Sequence, residues 1–232
     1  MKSKKNIIYE ETGKIIYQNE DENNVFVEYT DEADLNPKEK IRIKNLGEIF
    51  ISTNSFFLDY LNAYNIPTAF KKLVDNSLTF SKHHRLPFYI KILNLLDKRT
   101  AKIFDKQEGT FLQIPLLTFH YGNLQDNFIS ENHLISLDIC PLEDTKMMKR
   151  LCSKVNAVLK SFCERRNTTL AEFNCHFGKD NDKILVVDDF TPSSLKILQN
   201  NSGNSSIHPY KIKSSEEIKN YSEFIQSLIS SE

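Results

Sequence analysis

The 29-residue stretch from Leu170 to Leu198, LAEFNCHFGKDNDKILVVDDFTPSSLKIL, constrains the fold of this chain more than any other. Two runs of β-type residues, Leu170 to Phe177 and Lys183 to Val187, flank a turn-forming segment, Gly178-Lys179-Asp180-Asn181-Asp182, and predict a hairpin. The second run opens into Asp188 and Asp189 before a break at Pro192. In a strand, alternate side chains point to opposite faces, so Glu172, Asn174 and His176 share one face and Phe173, Cys175 and Phe177 the other. The polar stripe reads as the floor of a site. Carboxylates at the end of the neighbouring strand are well placed to hold a metal.

Upstream, Asn6 to Glu10, Lys14 to Gln18, Val25 to Tyr29 and Lys40 to Lys44 are short β-branched or alternating runs separated by polar turns. Ile49, Phe50, Phe57, Leu58 and Leu61 follow helical spacing and predict a helix over Leu46 to Tyr64, closed by Asn65-Ile66-Pro67. Strands are expected at Leu78 to Lys82 and Pro87 to Leu93, with a crossover between two halves near Arg85. The apolar face of Met147, Leu151, Val155, Val158, Leu159 and Phe162 predicts a helix from Pro141 to about Arg166. A last helix is expected over Ser214 to Ser230, where Ser214 and Glu217 have capping-box spacing. The polar segment Gln199 to Ser206 reads as a mobile loop.

A chain of 232 residues accommodates one large domain or two closely packed lobes. A formal net charge of -1 gives no global attraction to nucleic acid or to a membrane surface. No apolar run approaches the ~18 residues that span a bilayer, and the basic N-terminal residues precede no apolar core, so the expected location is the cytoplasm. The four cysteines, Cys140, Cys152, Cys163 and Cys175, show no CxxC spacing and read as buried reduced thiols. Arginine is scarce among the basic residues: Arg42, Arg85, Arg99, Arg150, Arg165 and Arg166 are the whole set. A phosphate-rich ligand is therefore expected to be held mainly by lysine or backbone amides. His83, His84 and Arg85 form a small basic cluster that reads as a solvated surface turn.

The hairpin resembles that of the SAICAR synthetase (phosphoribosylaminoimidazole-succinocarboxamide synthase) family, whose pattern is Asp-Phe-Lys-Leu-Glu-Phe-Gly followed by Asp-Glu, Ser-Pro-Asp and Arg. Phe173, Phe177, Gly178, Asp188 and Pro192 agree. Asn174 stands where the family has lysine, His176 where it has a metal-binding glutamate, Ser193 where it has aspartate and Lys196 where it has arginine. The similarity covers nearly the whole chain. Ile8, Tyr9 and Lys14 to Tyr17 resemble the family's opening strands, with Thr12 in place of the first phosphate-contacting lysine and Lys14 in place of the second. Tyr29, Asp31 and Ala33 resemble Phe-Lys-Asp-Asp-Ala-Thr, and Pro87 to Asn94 resembles Pro-Leu-Glu-Val-Val-Val-Arg-Asn, with Leu93 at the arginine position.

The resemblance implies an α+β, two-lobed fold, with an antiparallel β-rich lobe over residues 1–85, an α/β lobe over 86–232 and a nucleotide cleft between them; the first four β runs are expected in one sheet. It implies an ATP-dependent ligase of purine biosynthesis that joins aspartate to carboxyaminoimidazole ribotide, with Mg2+ as cofactor and a homodimer as assembly. Carried over residue by residue, it implies catalytic roles for Asp188 and Lys196, cofactor binding by Lys14, Asp31 and Asn94, and metal binding by Asp188, Asp189 and His176. Phosphoryl chemistry needs fixed cations around dense negative charge, and Thr12, Leu93 and Asn174 each remove one. Two readings stay open: a divergent, impaired ligase, and a non-catalytic module of the same fold that binds nucleotide or metal or serves regulation.

Overall fold

The computed structural model describes residues 5–18, 23–36, 39–122, 127–200 and 208–230; the loop expected up to Ser206 lies outside them beyond Asn200. In chain order the elements are β1 (Asn6–Glu11), β2 (Lys14–Gln18), β3 (Asn24–Tyr29), β4 (Glu32–Asn36), β5 (Glu39–Arg42), α1 (Leu46–Ala63), β6 (Phe70–Val74), β7 (Ser77–Ser81) and β8 (His84–Leu95). They continue with α2 (Lys98–Ile103), β9 (Phe111–Tyr121), β10 (Phe128–Ile129), α3 (Glu131–Ser136), α4 (Leu142–Glu164), β11 (Thr168–Asp180), β12 (Lys183–Asp188), β13 (Lys196–Gln199) and α5 (Ser215–Ile229). The α+β class expected from sequence is the one observed.

The first sheet has the order β1-β2-β3-β7-β6, and every pairing in it is antiparallel. Its opening hairpin turns at Gly13, whose φ of 78° and close approach to the Glu32 carbonyl both exclude a Cβ. β4 and β5 pair only with each other, in a separate two-stranded sheet. This corrects the expectation of one sheet for the first four β runs. Ile43 N–H donates to Asp31 O at 2.7 Å and closes the base of the small hairpin.

The second sheet runs β10-β9-β8-β11-β12, with β13 pairing the opposite end of β11. β11 is longer than its sequence suggests, because Gly178 to Asp180 continue the ladder to β12. The hairpin closes on Asn181 and Asp182 alone, with Asn181 at a φ of 51°, a conformation asparagine tolerates. The period-two reading of β11 is seen in its burial: Phe173, Cys175 and Phe177 are fully buried, while Asn174 and His176 are partly open on the other face.

α1 covers the first sheet with Ile51, Phe57, Leu58 and Leu61, and α4 covers the second with Met148, Leu151, Val155, Leu159 and Phe162. Phe57 and Phe162 meet edge to face at 5.1 Å, so the two halves share one apolar core. Residues 67–69 also pair with the outer edge of β12, through Val186 N–H to Pro67 O and Ala69 N–H to Val186 O, each 2.9 Å. These bonds fix β12, and Asp188 at its end, against the first half. α5 is capped by Ser214 and buries Tyr221, whose hydroxyl donates to Leu195 O at 2.9 Å and accepts from Ile197 N–H at 2.8 Å. No helix among the described residues is long and apolar enough to cross a membrane.

Candidate functional site

Where β2 of the first sheet meets β8, β11 and β12 of the second, a cavity of about 860 Å³ opens between them. Lys14, Arg85, His176, Asp189 and Lys196 line it, with Tyr29 and Tyr89 among the rings on its walls. Its size is that of an ordinary small-molecule site. A smaller cavity of about 250 Å³ shares Arg85 with it and reaches Asp188.

Asp188 lies at the centre of the charge arrangement. It is 1% exposed, its Oδ2 accepts from Lys14 Nζ, and its Oδ1 accepts from Arg85 Nη1. Burial alone would raise the Asp188 carboxyl, but Arg85 and then Lys14 outweigh it and hold the group well below the carboxylate range. Lys14 is 3% exposed, and burial would strip its proton; Asp188 and Asp189 reverse that and raise it above the usual lysine value. Asp189 differs from its neighbour. Burial dominates there and raises it, and its Oδ1 accepts from Thr191 N–H at 3.2 Å and from the Tyr29 hydroxyl at 3.4 Å.

His176 faces Arg85, whose Nη2 lies 3.1 Å from His176 Nδ1. That contact makes Nδ1 the acceptor of a neutral ring. Burial, with the Arg85 charge behind it, pushes the imidazole down to about 3. Across the strands His176 packs against Tyr89 at 4.8 Å, and Tyr89 stacks on His120 at 5.1 Å. Lys196 lines the cavity and donates to Ser193 O at 3.1 Å, and burial lowers its proton affinity against the opposing charge of Glu172.

Of the residues expected at the site, Lys14, His176, Asp188, Asp189 and Lys196 come together here. Two do not. Asn94 is 1% exposed, and its amide exchanges hydrogen bonds of 2.8 and 2.9 Å with Asn156 on α4, so it ties a helix to the sheet instead of facing a cofactor. Asp31 accepts from Gly47 N–H at 3.1 Å and holds the first turn of α1, outside the cavity lining. The His83-His84-Arg85 cluster is not a solvated turn: Arg85 points into the cleft, and half-buried His83 packs where a side chain at Gly178 would stand.

The donor set does not fit a divalent cation. Among the described residues no three His, Cys, Asp or Glu side chains converge as a metal cluster. Both Asp188 oxygens already face fixed cations, and His176 faces the same guanidinium. At an effective dielectric of ~20 a unit-charge pair 4 Å apart is worth about 4 kcal/mol, roughly doubled for a divalent ion. Asp189 and Glu11, the latter 3.8 Å from Lys14, also line the cavity, so what opposes a hard cation is the occupation of both Asp188 oxygens and the imidazole at 176. The metal roles expected for Asp188, Asp189 and His176 are thus opposed by Lys14 and Arg85.

Sequence reasoning missed Arg85 and Tyr89 as site residues. Period two puts them on one face of β8, four residues apart, but only the pairing of β8 with β11 sets that face against His176.

Comparison with known proteins bears on the same residues. A sequence model described as SAICAR synthetase matches residues 7–211. The chain belongs to the SAICAR synthetase family. It is 32% identical over 196 residues to the phosphoribosylaminoimidazole-succinocarboxamide synthase of Streptococcus thermophilus, a match that covers 82% of this chain and 83% of that protein. The enzyme of that name from Streptococcus pneumoniae is 31% identical over 198 residues, covering 83% and 84%. Among solved structures, the synthase from Ehrlichia chaffeensis superposes with a TM-score of 0.85 at 25% identity, covering 96% of this chain and 98% of that one. A SAICAR synthetase in complex with ADP gives a TM-score of 0.87 at 23% identity, covering 97% and 98%, and shares the fold. Mixed helices and antiparallel sheets are common to this SAICAR synthetase family member and its structural relatives.

Proposed function

We propose that this chain is a purine-biosynthesis ligase of SAICAR synthetase type, which binds ATP in the cleft between its sheets and joins aspartate to carboxyaminoimidazole ribotide. The observation that carries this reading is the convergence of Lys14, Arg85 and Lys196 on one cavity of about 860 Å³ in a chain of this family. Each reactant is an anion, and the cleft presents three cations on separate elements. Lys14 is held in place on Asp188 and contributes a fixed positive charge to the wall of the cavity. Lys196, at the β13 end of the cavity, faces a second anionic group, and its lowered proton affinity makes it sensitive to that charge. The rings of Tyr29 and Tyr89 line the same cavity.

A second reading, a binding module without turnover, is favoured by one observation. Asp188 is closed between Lys14 and Arg85 and presents no open carboxylate to the cleft.

One assay separates the two. The protein is given ATP, aspartate and carboxyaminoimidazole ribotide, with and without Mg2+, and ADP and product are followed beside Lys196→Gln. Product above a blank that is lost in the variant supports the ligase. Absence of product, with a melting temperature that rises in ADP, supports the binding module; absence of both refutes a nucleotide site.

A further inference from the structure

Arg85 belongs to none of the motifs that define the family resemblance, yet it occupies the centre of the cleft. Its guanidinium joins Asp188 to His176, with Nη1 on the carboxylate and Nη2 at 3.1 Å from the ring nitrogen. These contacts involve two of the five N–H donors of an arginine. The side chain is 30% exposed and lines the main cavity, so the rest of the fork is presented to whatever enters. Lys14, by contrast, is almost wholly buried and committed to the same carboxylate. Arg85 is therefore the cation best placed to reach a ligand.

Its neighbours make the same point from the other side. Where the resemblance would supply a carboxylate at position 176 there is a histidine, and its cross-strand partner on β8 is Tyr89, followed on β9 by His120. At position 176 this face offers a row of rings and a guanidinium where the resemblance places a carboxylate, with Asp188 closed between two cations and Asp189 and Glu11 beside it. A metal finds no open oxygen on Asp188 here, whereas a phosphate can reach the N–H groups of Arg85 that Asp188 and His176 leave over. Planar, bidentate contact with phosphate oxygens is what a guanidinium does best.

We propose that Arg85 is the anion-binding residue of this cleft, performing the charge neutralisation that a divalent cation would otherwise supply, so that a nucleoside polyphosphate is taken in metal-free form. The proposal rests on the nucleotide reading above and names the group that recognises the phosphates.

The test is calorimetric titration of the full chain with ADP, in EDTA and in Mg2+, for wild type, Arg85→Gln and Arg85→Lys, with inorganic tripolyphosphate as a second probe. Melting curves check that each variant is folded; Lys14 still pairs Asp188 in both. Wild type is expected to bind ADP in EDTA within roughly threefold of its affinity in Mg2+. Arg85→Gln is expected to lose roughly ten- to a hundredfold, the range for one charged hydrogen-bonding group, and Arg85→Lys to fall between. ADP binding that requires Mg2+, or that is unchanged in Arg85→Gln, overturns the proposal and leaves the nucleotide reading standing. Tripolyphosphate binding that depends on Arg85 without any ADP binding upholds the anion site and removes the nucleotide reading. Failure of both probes in both buffers overturns the two together.

Discussion

Replacing Asp188 by asparagine tests the charge arrangement directly. The side chain is nearly isosteric, so packing is kept while the negative charge between Lys14 and Arg85 is removed. Arg85 is 30% exposed and recovers much of its hydration, so its share of the loss is small. Lys14, at 3% exposure, cannot. Removing one partner of a buried pair costs about 3–5 kcal/mol, and in a protein of this size each kcal/mol shifts Tm by roughly 2–4 °C. Asp188→Asn is therefore expected to melt roughly 6–20 °C below wild type at neutral pH.

The pH dependence gives a second readout. In wild type the Asp188 carboxyl is held low, so its contribution is present above the unfolded carboxylate value near 3.8 and is lost as pH falls below it. Lys14 is raised in the folded state, so its contribution is present below the unfolded value of 10.5 and is lost as pH rises through the folded one. In the variant the charge that does most to offset burial at Lys14 is gone, and burial, with Arg85 beside it, lowers the folded value. The unfolded chain then binds more protons than the folded one on the alkaline side, and stability recovers as pH rises toward 10.5. Calorimetric melts from pH 5 to 10 should show the two proteins converging. A loss under about 2 °C that stays the same across this range would refute the buried pair.

Three further outcomes are expected. Asn156→Ala leaves the buried Asn94 amide without its partner and should cost about 1–3 kcal/mol in urea denaturation; an unchanged midpoint would mean water replaces it. Tyr221→Phe removes the acceptor of the Ile197 N–H and should speed hydrogen exchange at that amide, with a stability loss of about 1–3 kcal/mol. Burial pushes the Cys163 thiol up to about 12 and Cys140 up to about 11, so the native protein should release little colour from a thiol-disulfide reagent at pH 8, and all four cysteines should react once it is unfolded.

Much of this fold was legible because local chemistry and tertiary packing agree. The alternation in β11 survives because its apolar face has α4 behind it, and α1 begins and ends within one residue of expectation because Asn45 and Asn65 take left-handed conformations at its two ends. The separate β4–β5 hairpin was not legible, since strand pattern says nothing about which strand is the partner. Within the site, Lys14 and Asp188 were found through motif positions, but their mutual pairing spans 174 residues of chain and leaves no local trace. Asn94 and Asp31 fall outside the cavity lining for the opposite reason: a polar residue at a motif position looks the same whether it faces a cavity or a helix. Arg85 was placed on the surface because runs of basic residues usually are solvated, and only the pairing of β8 with β11 turns it inward.

The packing of α5 on α1, where Gln226 reaches Ser52 at 3.3 Å, bears on how the protein is made. α1 leaves the ribosome some 170 residues before its covering helix does, which at 5–20 residues per second is a delay on the order of ten to thirty seconds. For that interval one flank of the nascent chain's first helix stays bare. Until α5 follows, that flank is open to contacts that the finished fold excludes.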